Sequence, residues 1–178
     1  MTSPASLVAS LLISLTLATP CFAQLPSSDP DWKESDAPPP PALNLKGLVP
    51  FEVVVASNLS WALDPTAVTI VGDGLVRYVV VARSQSGILN ALYEVINCSN
   101  AELKTYARIV GKESDAAGKA WVAVQDPQWK SIYDAPSKHA LALAKQGVCT
   151  GKTAAQSVGE IVTSLKKTTI IFKNKSAP

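Results

Sequence analysis

Histidine, cysteine and charged residues are scarce in this 178-residue chain, and these shortages limit the sites and structures that it can form. A single His excludes a metal site built from several histidines. Charged residues make up 17% of the chain, below an average of roughly 25%, so disorder along the whole length is excluded. The net charge of +2 is too small to indicate nucleic-acid binding. The length suits one domain with an appendage, and we expect a monomer.

Residues 1–23 have no charged residue and indicate a signal peptide. Their apolar core, Leu7 to Ala18, is too short to span a bilayer. Small residues around Ala23 predict cleavage before Gln24 and a soluble periplasmic protein, although the usual early Lys or Arg is missing. The alternative is a membrane-anchored lipoprotein attached through Cys21. That alternative is weakened by Pro20, which stands where a small residue is expected.

Residues 24–46 form an acidic, proline-rich leader ahead of the domain. The run Pro38–Pro41 has no amide hydrogens for a helix or sheet, so polyproline II is predicted. We favour a solvated spacer over a docking segment anchored by Trp32. Residues 24–64 hold six acidic and two basic residues, and the rest of the chain holds eight acidic and fourteen basic. The leader can therefore lie across the domain, or the domain can face an acidic partner.

Residues 47–167 are expected to form one α+β domain, in which an antiparallel sheet of about five strands comes first. A Gly72–Gly74 turn predicts a hairpin, and residues 88–97 fit a helix or a strand, of which we choose the strand. In the next strand Leu103, Thr105, Ala107 and Ile109 are expected on one face. The predicted strands cover residues 68–71, 75–83, 88–97, 103–109 and 120–124.

Two C-terminal helices are expected to pack on one face of the sheet. The first has Ser137 as N-cap and ends at Gly147. The second begins with a capping box at residues 153–156, and its apolar stripe is Val158, Ile161, Val162 and Leu165. Residues 168–178 are expected to be a frayed basic tail; the competing interpretation is weak contact with anionic lipid.

One set of motifs along the chain points to a known family. These motifs are Asp31-Trp32, Pro38–Pro41, Asp73-Gly74, Val76–Ser84, Ser86-Gly87, Tyr93-Glu94, Ile96–Cys98, Lys104–Ala107, Trp121 and Gly147–Cys149. Together they resemble the cryptic neisserial protein-like family, from about Asp29 to Lys166. The resemblance implies a small exported protein of Gram-negative bacteria, with no catalytic residue to carry over.

No motif for catalysis or cofactor binding is convincing, so we expect no cofactor and no enzyme activity. Residues 147–153 imitate a phosphate-binding loop but have one residue too few between the glycines. His139 is expected to be an exposed residue in the first turn of its helix. The leading hypothesis is therefore a binding or interaction module of the cell envelope, whose partner is an envelope protein or a small ligand. The alternative is a periplasmic hydrolase that uses His139.

Trp129 and Tyr133 lie in a loop between the sheet and the helices. The favoured interpretation is a loop that closes the edge of the core, with Trp129 as its plug. The alternative is an interaction surface formed by Trp129 and Tyr133, together with Trp61 or Trp32.

Cys98 and Cys149 are the two cysteines that remain after signal cleavage. An oxidising compartment and one possible pairing predict a structural disulfide that fastens helix to sheet. A metal site falls short of four ligands, and a redox pair would need C-x-x-C spacing.

Overall fold

The computed structural model describes residue 34 and residues 37–53, 58–72, 74–116 and 118–175. The chain divides into two compact units, Met1–Asp36 and Ala37–Pro178, and the second unit holds the sheet and helices described below. The signal peptide, Cys21, Gln24 and Trp32 lie outside the described residues.

The described residues form an α+β fold in which the strands of the main sheet come before the two longer helical segments, and a short strand pair lies between those segments. Strands and helices have the following bounds: β1 Val49–Phe51, β2 Leu59–Val71, β3 Leu75–Ser84, β4 Ile88–Asn97, β5 Glu102–Lys112, α1 Glu113–Ala116, β6 Val122–Ala123, β7 Lys130–Ser131, α2 His139–Leu143, β8 Cys149–Thr150, β9 Thr153–Ala154 and α3 Val158–Lys175. A π-helical turn, Ala144–Val148, continues α2.

The main sheet is antiparallel and follows chain order from β1 to β6, with β7 also paired to β5. It has seven strands rather than the five expected, because short edge strands lie at both sides. Residues 88–97 form strand β4, as predicted. Strand β2 starts nine residues before the predicted Val68, and its register shifts between Asp64 and Thr69. Pro65 falls in that shift and hides the strand in the sequence, because proline is tolerated in sheets chiefly at edges and bulges.

A bulge in β5 changes which of its side chains face the helices. Glu94 pairs with Thr105 while its neighbour Tyr93 pairs with Ala107, so Tyr106 is the extra residue. Before the bulge Leu103 packs in the core between the sheet and the helical segments, which we call the helix-side core. After the bulge Ala107 packs with Tyr93 in a different cluster. The prediction that these odd-numbered residues share one face is therefore wrong beyond Thr105.

One face of the sheet packs against the helical segments. Val76, Tyr78, Val80 and Ala82 of β3 share a core with residues of α2, the π-helical turn and α3. Ile161 and Leu165 of α3 are fully buried there, which confirms the centre of the predicted stripe. Burial of this apolar surface is the main stabilising contribution of the helices.

The helix ends differ from the prediction. Ser137 is not an N-cap: α2 begins at His139 after Lys138 and has no side-chain cap bond. Gly147 interrupts the helical backbone one residue before the turn's last residue, with a φ of 133° that favours glycine. Helix α3 starts at Val158, because residues 153–154 form strand β9 and the capping box lies later. There the Glu160 amide donates to Ser157 Oγ at 3.1 Å, and the Glu160 carboxylate accepts from the Gln156 amide.

The expectation of a frayed tail is wrong for residues 168–175, since α3 continues to Lys175. Thr169 is buried, and its hydroxyl donates to the Pro50 carbonyl at 3.1 Å, which ties the helix to β1. Ile170 and Ile171 are exposed on this last part of the helix. Among the described residues, no helix is both long and apolar enough to cross a membrane.

The second face of the sheet is covered by residues 37–48, which we call the N-terminal strap. Leu43, Leu45 and Leu48 of the strap pack against buried residues of β3, β4 and β5. The strap is neither helix nor strand, and most of its residues are half-buried. The last part of the proline-rich leader is therefore in contact with the domain rather than solvated.

Cys98 and Cys149 form the predicted disulfide, with Cα atoms 5.6 Å apart. Cys98 follows β4 and is buried in the helix-side core, while Cys149 begins β8 directly after the π-helical turn. The bond therefore fastens the helical segment to the sheet.

Removing both cysteines in Cys98→Ala/Cys149→Ala should lower the free energy of unfolding by about 4 kcal/mol, since the bond closes a loop of about 51 residues. Urea unfolding of oxidised protein measures this. Reduction of the native chain should give a similar loss and release two thiols. Equal midpoints for the native chain and the double variant would contradict a stabilising role.

Candidate functional site

A polar cluster lies inside the helix-side core, and His139 is at its centre. The residue is 3% exposed, so the expectation of a surface histidine is wrong. The short helix α2 turns its first residue inward over the sheet, where Glu94 of β4 is 1% exposed. Sequence patterns did not show this, because a polar residue in a first helical turn is ordinarily solvated.

His139 Nε2 lies 2.7 Å from Glu94 Oε2, and His139 Nδ1 lies 2.9 Å from Ser137 Oγ. The Tyr78 hydroxyl donates to Glu94 Oε2 at 3.1 Å, and the Thr105 hydroxyl donates to Oε1 at 2.9 Å. Tyr78, Thr105 and His139 thus contact the Glu94 carboxylate, and Ser137 contacts the imidazole of His139. We call these five residues the Glu94 network.

The hydrogen-bonding groups at the centre of the network are complementary. A carboxylate oxygen accepts, so the contact with Glu94 is one in which His139 Nε2 donates. The Ser137 hydroxyl, which can donate or accept, meets the other ring nitrogen, Nδ1. Both ring nitrogens and both carboxylate oxygens have partners, which is what burial of these groups requires.

Trp61 connects this network to a surface cleft. Its ring stacks on the His139 ring, with centroids 4.5 Å apart and planes 3° from parallel. Trp61 also lines a cleft of about 450 Å³. Other residues that line the cleft are Pro50, Phe51, Glu52, Val53, Asn58, Leu59, Ser60, Arg83, Ser84 and Gln85.

The cleft combines apolar and polar groups at the ends of β1, β2 and β3. Leu59 is exposed in it, while Arg83 donates to the Glu113 carboxylate at 2.9 Å. The Glu52 backbone is held in place by Gln146 of the π-helical turn, whose side-chain amide donates to its carbonyl. These bonds give the cleft a fixed wall.

The aromatic residues of the loop after β6 lie apart from the Glu94 network. Trp129 is half-buried, and Lys104 Nζ sits 4.4 Å from its ring centroid, an arrangement typical of a cation–π contact. Tyr133 is exposed. Trp129, the expected plug, is therefore in contact with a lysine of β5. Of the loop residues of the alternative interaction surface, Tyr133 is exposed and Trp129 is half-buried.

The glycine-rich segment after α2 has a structural explanation. Gly147 interrupts the helical backbone of the π-helical turn, and Gly151, with a φ of 63°, makes the turn between β8 and β9. Within the described ranges, no three His, Cys, Asp or Glu side chains come together as a metal site would need.

These features define the class of protein: an α+β domain with one disulfide among its described residues and with one face of its sheet covered by the strap. The sequence profile of the CNP1-like family matches residues 27–166, and the chain belongs to that family. This agrees with the resemblance seen in the sequence. Comparison with curated proteins and with solved structures gives no match.

Tyr78 provides a test of the Glu94 network. Burial raises the pKa of Tyr78 well above its ordinary 10, and the charge of Glu94 raises this pKa further. The folded state therefore holds the proton more tightly than the unfolded state, so the stability from Tyr78 is complete below pH 10 and is lost as pH rises through the folded pKa.

We expect the urea midpoint of the native chain to fall from pH 9 to pH 11, and Tyr78→Phe to fall less steeply. The control is Tyr133→Phe, which changes an exposed tyrosine and should follow the native chain. An equal fall of the urea midpoint with pH in all three proteins would contradict the raised pKa of Tyr78 in the Glu94 network.

Proposed function

We propose that this protein is exported to the periplasm and acts there as a non-enzymatic binding module, with the Trp61 cleft as its binding surface. The disulfide supports the location, since such bonds persist in oxidising compartments and are rare in the cytosol. The uncharged segment before Gln24 supports export.

The cleft is the observation that carries the binding function. It is concave and its walls place apolar side chains beside hydrogen-bonding ones, as ligand sites do. Asn58, Ser60 and Gln85 offer both donors and acceptors. Because β1, β2 and the disulfide-linked helical segment hold its walls, little ordering is needed when a ligand binds.

The position of His139 favours binding over catalysis. Trp61 stacks on its ring, and both ring nitrogens are bonded to Glu94 and Ser137. A general base must reach the proton that it removes, and here the imidazole is 3% exposed. The network thus serves to hold Trp61 at the cleft.

Site-specific photocrosslinking tests the proposal. p-Benzoylphenylalanine would replace Gln85 in the cleft, with replacement of the exposed Gln128 as control. In living Gram-negative cells we expect adducts from position 85 and fewer than about a tenth as many from position 128. Equal yields, or none at position 85, would overturn the proposed binding surface.

The same preparation tests export. The intact mass of protein released by osmotic shock should correspond to a chain that begins at Gln24. A diacylglyceryl group on Cys21, or a chain that stays in the cytosol, would overturn the proposed location.

A second candidate is a hydrolase, favoured by one specific observation. Ser137, His139 and Glu94 form a continuous chain in the order nucleophile, base and carboxylate, and Ser137 is half-buried rather than enclosed. In this scheme Ser137 Oγ attacks an ester carbonyl, His139 Nδ1 takes the hydroxyl proton, and the leaving alcohol receives that proton.

A fluorophosphonate probe separates the two functions. A hydrolase would gain one adduct on Ser137, which would be lost in Ser137→Ala and kept in Ser131→Ala. We expect no adduct on Ser137, as a binding module predicts. Stoichiometric labelling at Ser137 would establish the second candidate instead.

A further inference from the structure

Three aromatic side chains lie together on the strap side of the sheet, in contact with the strap. Tyr93 lies in β4, Tyr106 is the bulge residue of β5, and Trp121 stands just before β6. The ring centroid of Tyr93 is 5.2 Å from that of Tyr106 and 6.4 Å from that of Trp121. We call these three residues the aromatic groove.

The proline run of the strap is bonded to this groove. The Tyr93 hydroxyl donates to the Pro38 carbonyl at 3.3 Å, and Trp121 Nε1 donates to the Pro41 carbonyl at 2.7 Å. The two acceptors are three residues apart, and polyproline II has three residues per turn. They therefore repeat at the period that places carbonyls on one side of such a helix.

Aromatic rings that pack against prolines, with side-chain donors to their carbonyls, are the means by which known domains recognise proline-rich ligands. A proline run is suited to this because its φ angles are already fixed and little entropy is lost on binding. The groove thus has the chemistry of a peptide-binding site whose present occupant belongs to the same chain.

The strap has two parts that are held differently. Leu43, Leu45 and Leu48 pack into the buried clusters of the sheet, so their loss would expose the core. In the proline run Pro38 and Pro39 are exposed and Pro40 and Pro41 are half-buried, and the run accepts hydrogen bonds from Tyr93 and Trp121. Breaking these two bonds would free the proline run without removing a leucine from the clusters.

We propose that the aromatic groove is a recognition site for a proline-rich segment of a partner protein, and that residues 38–41 occupy it as an internal competitor. The internal segment is at a high effective concentration, so a partner must bring a longer or better-matched segment to replace it. This proposal goes beyond the cleft and does not depend on it.

A purified full chain can test this with the labelled hexapeptide Ala-Pro-Pro-Pro-Pro-Ala, the sequence of residues 37–42. In one variant Pro38→Gly, Pro39→Gly, Pro40→Gly and Pro41→Gly are combined, which weakens the internal competitor and keeps the leucines. Fluorescence anisotropy should show binding at least about tenfold tighter to this variant than to the native chain.

Further variants locate the binding to the groove. Adding Trp121→Phe to the four-glycine variant removes the donor to Pro41 and should weaken binding about fivefold. Adding Trp129→Phe is the matched control, since it removes an indole that packs against Lys104, and should change nothing. Circular dichroism checks that each variant is folded.

The outcomes are distinct. A peptide with alanine at all four proline positions should bind at least about fivefold more weakly than the proline peptide. Equal binding of the two peptides, or no binding to the four-glycine variant, would overturn the proposal and leave the strap a structural cover. Concentration-dependent dimers of the native chain would assign the groove to a second copy and would also overturn it. None of these results depends on the cleft.

Discussion

The burial of β3 on both faces is the constraint on which the rest of the fold depends. Val76, Val79, Val80 and Val81 are fully buried, although their side chains alternate between the two sides of the sheet. Such a strand needs a cover on each side. The C-terminal helices supply one cover, and the strap, which has no regular structure, supplies the other.

The two covers differ in how they are held. A covalent bond, Cys98–Cys149, fastens the helical side to the end of β4. The strap is held by the packing of its leucines and by side-chain donors to its carbonyls. Helices satisfy most of their own backbone groups, whereas the carbonyls of an extended proline-rich segment need donors from water or from other residues. For Pro38 and Pro41 the donors are Tyr93 of β4 and Trp121, just before β6.

Local patterns in the sequence predicted the hairpin, strand β4, the α3 stripe and the disulfide, because turns, alternation and cysteine pairing are local or have few alternatives. Burial of His139 was missed because its partner Glu94 is 45 residues away. A leader lying across the domain was one of two alternatives that charge suggested, but the contacts of the strap were not predicted for the same reason: Trp121 is 80 residues from Pro41. Contacts between residues far apart in the sequence leave no periodic signal.

The Glu94 network and the aromatic groove use adjacent residues of β4 and β5, next to the bulge. Glu94 enters the polar network while its neighbour Tyr93 enters the aromatic groove, and on β5 Thr105 and Tyr106 divide in the same way. A shift of β5 by one residue against β4 would send Thr105 and Tyr106 to the wrong faces, while β4 stays in register with β3. The extra residue at Tyr106 therefore does more than end an alternation: it puts both Tyr106 and Ala107 on the strap side, where each packs with Tyr93.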